Sequence, residues 1–319
     1  KAIVAKNRAA IILPRQRRSA KIAHQTSNKG GFLPAGSAQG KVRRHPLVTA
    51  QALRWIDKMK RGLHSTSPKP MFRAMQTPPA LCDRTALARK RRRATEFFLH
   101  EEVRLEVDER LMEVNRTFTA VATITPFPQI WADLGITRPD DDVLDLVSES
   151  HDLVLHGLCL HWANDPVGQL VQCRRALRPD GLFMGFLFGG QTLHELRACL
   201  AEAEAEITGG LSPRVLPMGE IRDLGALLQR AGFALPVADS FTKTVRYRDA
   251  AHLMHDLRAM GEGNALEARL RRPTRRAVLA RAAELYQSQF ADSEGRIPAT
   301  FEIICLTGWA PDESQQKPL

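Results

Sequence analysis

The sequence predicts an α/β protein built on an open, doubly wound sheet. Two apolar strands are predicted over 152–162 and 182–188, with a helix over 166–177 and an Arg-Pro-Asp-Gly turn between them. A strand, a crossover helix and a second strand of this kind form a right-handed unit with parallel strands. Because such sheets bind ligands beyond the carboxyl ends of their strands, we expect a functional cleft there.

The segment ahead of this unit lacks the expected glycine loop. Residues 118–128 read Phe-Thr-Ala-Val-Ala-Thr-Ile-Thr-Pro-Phe-Pro, and no glycine lies between Arg116 and Leu134. A glycine-rich turn after the first strand normally lets the backbone approach a cofactor. Only about 35 residues separate Phe118 from Asp152, whereas two complete β-α units need roughly 45 to 60. We therefore predict a sheet with an abbreviated N-terminal half and no bound cofactor, and we interpret 140–142 as a solvated acidic turn.

The remaining elements follow from helical and alternating patterns. We predict a long helical stretch over 83–114, helices over 192–207, 218–231, 250–260 and 274–289, and antiparallel edge strands over 233–247 and 299–306. Thr192 and Glu195 have the spacing of a capping box. Gly232 has the position of a left-handed helix C-cap.

Several blocks of the second half resemble one family. They include 160–165 (Leu-His-Trp-Ala-Asn-Asp), 188–197 (Phe-Gly-Gly-Gln-Thr-Leu-His-Glu-Leu-Arg) and 256–262 (Asp-Leu-Arg-Ala-Met-Gly-Glu). They are similar to the methyltransferase-like assembly factor of respiratory complex I and its alphaproteobacterial relatives, in order from about Thr77 to the C-terminus. The resemblance implies a Rossmann-like class I methyltransferase sheet and S-adenosylmethionine as the family cofactor. It also implies an arginine hydroxylase activity on a complex I subunit.

The matching blocks supply the candidates for a vestigial cleft, while no catalytic residue and no metal site are predicted. The candidates are His161, Trp162, Asn164, Asp165, Glu195 and Arg197. Asn164 and Asp165 have an alternative interpretation as caps of the helix that begins at Pro166. Glu262 is left open between a polar cleft residue and an ordinary turn. His252 and His255, three apart on one predicted helix, lack the carboxylate pattern of an iron or zinc site.

Charge divides the chain into two predicted parts. Residues 1–95 carry 23 Lys and Arg against two acids, a net of +21, and residues 96–319 carry a net of −10, within a total of +11. We predict a basic extended arm over 1–76 and a methyltransferase-like domain over 77–319, since such asymmetry is typical of an interaction tail. The predicted partner-binding residues of the arm are Lys1, Lys6, Arg8, Arg15, Arg17, Arg18, Lys41, Arg43 and Arg44.

Three functions remain open from the sequence. The favoured one is a mitochondrial, matrix-side and catalytically inactive protein that serves a large complex, complex I above all, as a structural or assembly subunit. The alternative is a mitochondrial ribosomal component whose arm contacts rRNA phosphates. The third is an enzyme that modifies protein arginine. The arm could also be an import sequence, since 61–67 is rich in Ser and Arg. No apolar run reaches the length of a membrane helix.

Overall fold

The computed structural model describes residues 79–114 and 116–315. The predicted arm and its nine basic candidates lie outside the described residues. The helices are α1 (Arg84–Arg91), α2 (Phe98–Val114), α3 (Pro128–Trp131), α4 (Pro166–Ala176), α5 (His194–Thr208), α6 (Ile221–Ala231), α7 (Ala250–Ala259) and α8 (Arg276–Phe290). The strands are β1 (Val121–Ile124), β2 (Ile136–Arg138), β3 (His151–His156), β4 (Leu177–Phe188), β5 (Ala234–Tyr247) and β6 (Ile297–Trp309).

These strands form one mixed sheet of the Rossmann-like class I methyltransferase type. The order is β2-β1-β3-β4-β6-β5. The first four strands pair in parallel, and β6 pairs antiparallel with both β4 and β5. The two predicted late strands therefore form the antiparallel edge, as expected. A β-α-β crossover joins β3 to β4 through α4, which confirms the predicted central unit.

The N-terminal half of the sheet is short, as the residue count predicted. β1 and β2 contain four and three residues, and the chain between them holds only the one-turn helix α3 and a 3₁₀ turn at Ala132–Leu134. β3 then follows through a segment with no helix over 139–150. One full crossover helix of a doubly wound sheet is therefore missing on this side.

Side chains of the central strands alternate between two apolar layers. Along β4, Leu182, Met184 and Phe186 face the layer that contains α2, α5, α7 and α8, while Phe183 and Leu187 face α4 and α6. This alternation has the period of two expected for an extended chain. Burial on both faces explains why β3 and β4 are almost continuously apolar. No helix within the described ranges is both long and apolar enough to cross a membrane.

Two local predictions were wrong. The helical stretch over 83–114 is two helices, because the intervening chain leaves the helix and the backbone N–H groups of Thr95 and Glu96 donate to the Ala259 carbonyl at the end of α7. The Thr192 and Glu195 capping box does not form either. Thr192 instead exchanges hydrogen bonds with the backbone of Glu302, and Glu195 accepts from Thr300 on β6. Tertiary partners displaced the local pattern in both places.

Candidate functional site: a cleft beyond the parallel strands

A cavity of about 280 Å³ lies beyond the carboxyl end of β4, where the doubly wound fold predicts a ligand site. The strand ends of β4 and β6, the helices α5, α7 and α8, and the segment between α5 and α6 enclose it. Most of its lining is apolar, including Phe188, Leu193, Leu196, Leu216, Leu257 and Phe301. Three charged side chains also line it, Glu262, Arg258 and Arg214. A largely apolar cavity with a few placed charges is the usual form of a binding site.

The polar end of the cavity is built on the turn that follows β3. Trp162 ends the 3₁₀ turn Leu160–Trp162, and its indole Nε1 donates a 2.7 Å hydrogen bond to Glu262 Oε2. The His161 Nε2 lies 3.5 Å from the same oxygen. All three side chains are largely or wholly buried. The turn thus anchors a carboxylate that comes from 100 residues further along the chain.

Hydrogen bonding determines the proton position on His161. The backbone N–H of Phe188 donates to His161 Nδ1 at 3.4 Å, so Nδ1 is an acceptor and Nε2 carries the proton towards Glu262. Burial raises the pKa of the Glu262 carboxyl, but nearby His161, the charge of Arg91 and the Trp162 hydrogen bond outweigh burial and lower the pKa to about 2. Glu262 is therefore an ionised carboxylate at neutral pH.

The six predicted cleft residues separate into two groups. Trp162 lines the cavity, and His161 contacts its carboxylate. Asp165 caps α4 by accepting from the Gly168 N–H at 2.8 Å, as its structural interpretation predicted. Asn164 instead bonds the backbone of Cys82, at 2.9 Å through its Oδ1.

The other two candidates, Glu195 and Arg197, belong to the framework around the cavity. Glu195 is buried against Thr300, and Arg197 donates to the carbonyls of Gly190 and Thr192 at 2.7 and 3.0 Å. They hold the loop after β4 against β6. Their neighbours Leu193 and Leu196 line the cavity, while Glu195 and Arg197 themselves do not contribute to the lining.

A second buried polar cluster lies behind Glu262 and was missed. Asp140 is 6% exposed and forms an ion pair with Arg91 at 2.7 Å, with Arg84 at 3.4 Å on the same oxygen. The solvated turn predicted for 140–142 is thus wrong at its first residue. Burial raises the pKa of the Asp140 carboxyl, but the charges of Arg91 and Arg84 outweigh burial and lower it. No local signal identifies the pair, because 49 residues separate Arg91 from Asp140.

A buried histidine connects this cluster to β3. His156 ends β3, its Nε2 lies 3.0 Å from Gln169 Oε1, and the Cys159 sulfur lies 3.3 Å from its Nδ1. Gln169 in turn donates to the Asp141 carbonyl at 2.9 Å. The carboxyl ends of β2 and β3 and the start of α4 are therefore joined by protein groups. These bonds fix the loops that border the family's cofactor position.

The segment after β1 is where the resemblance places the cofactor loop of the family. After β1, Pro126 and Pro128 have no backbone N–H, and the N–H of Phe127 donates to Thr125 Oγ1 at 3.1 Å. The rings of Phe127 and Trp131 are 3% and 0% exposed, and a Cβ on Gly157 at the end of β3 would lie 2.8 Å from the Trp131 ring. The nearest acid, Asp140, is already bound by two arginines. In this segment the available backbone N–H and the nearby carboxylate are therefore already bound by protein groups.

Comparison with known proteins shows which proteins this chain is similar to. The model of the methyltransferase domain family matches residues 98–185. The arginine-hydroxylase NDUFAF5, mitochondrial, of Danio rerio is 41% identical over 179 residues, which cover 56% of this chain and 56% of that protein. The Homo sapiens protein of the same name is also 41% identical over 179 residues, 56% of this chain and 52% of that protein. Over this aligned part, the chain is similar to the NDUFAF5 proteins.

The homology confirms the resemblance carried by the Leu-His-Trp and Gly-Gly-Gln-Thr-Leu blocks. A more distant relative is the malonyl-[acyl-carrier protein] O-methyltransferase of Xylella fastidiosa, 34% identical over 181 residues, 57% of this chain and 59% of that protein. The chain spans about half the length of the curated relatives it matches. Among solved structures, the YcgJ protein of Bacillus subtilis covers 60% of this chain and 92% of its own, with 10% identity and a TM-score of 0.38.

Proposed function

We propose that this chain is a methyltransferase-like assembly factor that binds a partner protein in its cleft and transfers no methyl group from S-adenosylmethionine. The observation that carries the proposal is a contrast between two neighbouring positions. The cavity beside Glu262 is open, whereas Phe127 and Trp131 are buried in the segment after β1, where the cofactor loop of the family is expected. A methyltransferase-like fold with an open substrate cavity and without room for the cofactor is suited to binding a partner protein without methyl transfer.

The proposed partner is respiratory complex I, on the matrix side of a mitochondrial or equivalent energy-coupling membrane. Two findings support this choice. The family resemblance stated above implies a role in complex I assembly, and the NDUFAF5 relatives are named mitochondrial. The predicted basic arm would supply further contacts to an acidic partner, and rRNA is the alternative partner for it.

The test combines cofactor binding with partner capture. Calorimetry of the full chain with S-adenosylmethionine is expected to show no saturable binding at tens of micromolar, an order of magnitude typical of cellular ligands. Native complexes purified through a tag on the chain are expected to contain complex I subunits by mass spectrometry. One-site micromolar binding of S-adenosylmethionine would refute the first part, and capture of ribosomal proteins alone would replace the second.

A second candidate function, recognition of protein arginine, is favoured by Glu262. A buried, ionised carboxylate at a cavity wall is the group that binds a guanidinium, and the NDUFAF5 relatives are named arginine hydroxylases. A blocked Gly-Arg-Gly tripeptide should then bind more tightly than the matching Gly-Lys-Gly tripeptide. Glu262→Gln should weaken the arginine peptide about tenfold, equivalent to about 1.4 kcal/mol.

The matched control is Glu113→Gln on the exposed side of α2, which should bind as the unaltered chain does. Thermal melting of both variants checks that they fold. Equal binding of the two peptides, or an unchanged arginine affinity in Glu262→Gln, would remove arginine recognition as a function of this cleft.

A further inference from the structure

The rim of the cavity beside Glu262 carries a group of positive charges. Arg258, on the last turn of α7, is exposed and lines the cavity. Lys90, on α1, lies against Gly263, which also lines the cavity, since a Cβ on Gly263 would be only 3.2 Å from Lys90 Nζ. Arg93 and Arg269 lie close enough to affect Lys90 electrostatically. We call Lys90, Arg93 and Arg258 the basic rim.

Among the described residues, none forms an ion pair with the side chains of the basic rim. Arg269 donates to Asp83 at 2.7 Å, and Arg271 shares that carboxylate. Within residues 79–114 and 116–315, in contrast, no carboxylate lies within ion-pair distance of Lys90, Arg93 or Arg258. Burial, followed by the positive charges of Arg269, Arg258 and Arg93, lowers the pKa of Lys90. Like charges are thus held together without a compensating anion.

The cavity next to the basic rim suits an apolar body. Its interior is formed by Leu196, Leu200, Met218, Met254, Leu279 and Phe301. Glu262 is the carboxylate in the lining, and it accepts the Trp162 hydrogen bond without forming an ion pair with Lys90, Arg93 or Arg258. Arg214 is likewise engaged, with Glu204 at 2.6 Å and with Thr274. Arg258 is therefore the charged side chain of the lining that has no ion pair with another described residue, and Lys90 lies next to the lining at Gly263.

We propose that the basic rim binds the anionic head group, a carboxylate or a phosphate monoester, of a small ligand whose apolar body fills the cavity. The ligand's charge would relieve the repulsion among Lys90, Arg93 and Arg258, and its chain would cover the apolar wall. This ligand and the proposed partner would be alternative occupants of the same cavity, and the inference rests on the basic rim and the apolar lining, not on the partner role.

The experiment measures binding of three eight-carbon probes to the full chain by calorimetry: octanoate, octyl phosphate and octanol. We expect at least one anion to bind about tenfold or more tightly than octanol, since a charge-assisted pair in a partly buried site contributes on this scale. The tighter of the two anions identifies the head group.

Variants then locate the head group. Lys90→Gln and Arg258→Gln should each weaken the preferred anion about tenfold and leave octanol binding unchanged. Arg222→Gln, an exposed arginine on α6 at the opposite face of the sheet, is the matched control and should bind normally. Arg258 and Arg222 are exposed and Lys90 is half-buried, so thermal melting of each variant checks that it folds as the unaltered chain does. Octanol binding as tightly as both anions, or anion binding unaffected by Lys90→Gln and Arg258→Gln, would overturn the proposal.

Discussion

At the scale of single residues, the site is defined by buried polar groups held in fixed pairs. Trp162 fixes Glu262, Arg91 fixes Asp140, and Gln169 fixes His156. Moving such groups out of water costs free energy, and their hydrogen bonds and ion pairs offset only part of that cost. Apolar side chains of the same size would often give a more stable fold. Polar groups retained at that cost, beside a cavity, are typical of a functional site.

These groups predict a stability that falls on acidification in two stages. Burial lowers the pKa of His100 to about 3 and of His156 to about 4. Below pH about 6.5 the unfolded chain therefore binds protons that the folded chain does not, so the free energy of unfolding drops as pH falls from about 6.5 to 4. Glu262, with its pKa lowered to about 2, stabilises the fold above pH about 4.5, and that contribution is lost between about 4.5 and 2.

Urea unfolding from pH 7 to pH 3 measures both stages. Two buried histidines give a first slope of up to about 2.7 kcal/mol per pH unit. His100→Gln should remove about half of that slope, whereas His255→Gln, on the exposed side of α7, should leave it unchanged. Glu262→Gln should reduce the second stage without abolishing it, because the pKa values of Glu204 and Asp140 are lowered as well. A stability that stays constant between pH 6.5 and 4.5 would contradict this assignment.

At the scale of elements, helix ends decide how the cleft is framed. Leu193, the N-cap residue of α5, is not a glycine but has a left-handed φ of 53°, and its N–H donates to the Thr300 carbonyl at 2.7 Å. The bond to β6 compensates a conformation that costs a non-glycine residue about 1 kcal/mol or more. Leu193 also lines the cavity, so the strained backbone conformation lies at the candidate site. α5 then ends at Gly209 with a φ of 70°.

Gly209 and Gly210 are a matched pair of positions for measuring how the positive φ at the end of α5 affects the free energy of unfolding when glycine is replaced. Both would hold a Cβ with nothing within 4 Å, but only Gly209 has a positive φ. Gly209→Ala should therefore lower the free energy of unfolding by about 1 kcal/mol. Gly210→Ala should be neutral or slightly stabilising, because it restricts the unfolded chain. Urea midpoints of the two variants give the answer, and equal effects would show that the backbone angle is not the cause.

At the scale of the whole molecule, charge separates the described domain from the predicted arm. Residues 1–56 contain 12 Lys and Arg and no acid, while residues 96–319 are net acidic. The layers of the sheet already enclose the apolar core within residues 79–315. We therefore assign folding to the domain and partner contact to the arm, which remains a prediction from composition.

Deleting residues 1–60 should separate these roles. The shortened chain is expected to melt within a few degrees of the full chain, because residues 1–60 hold too few large apolar side chains to contribute a core. Its recovery in complex I assembly intermediates, followed on native gels, should fall. If that recovery is unchanged and ribosome association is lost instead, the arm serves rRNA. In that case the affinity of the arm for rRNA should fall steeply as the salt concentration rises.

The predictable part of the fold rests on signals between near neighbours. The β3-α4-β4 unit, the cap at Asp165, the left-handed Gly232 and the antiparallel edge all follow from patterns within a few residues. Of the candidate residues, Trp162 lines the cavity and His161 lies against Glu262, whereas Glu195 and Arg197 hold the adjacent loop. Sequence spacing places a residue at a strand end but does not fix which way its side chain turns.

The sequence by itself determined the fold class, the short first half of the sheet and the similarity to NDUFAF5. Periodicity, residue counts and matching blocks are properties of the linear chain, so they can be read before it folds. Only the tertiary structure decided which charges meet. The Arg91–Asp140 pair and the Trp162–Glu262 pair join residues 49 and 100 positions apart. The basic rim likewise unites α1 with the end of α7. Electrostatic and packing energies depend on distance in space, and the chain must fold before those distances exist.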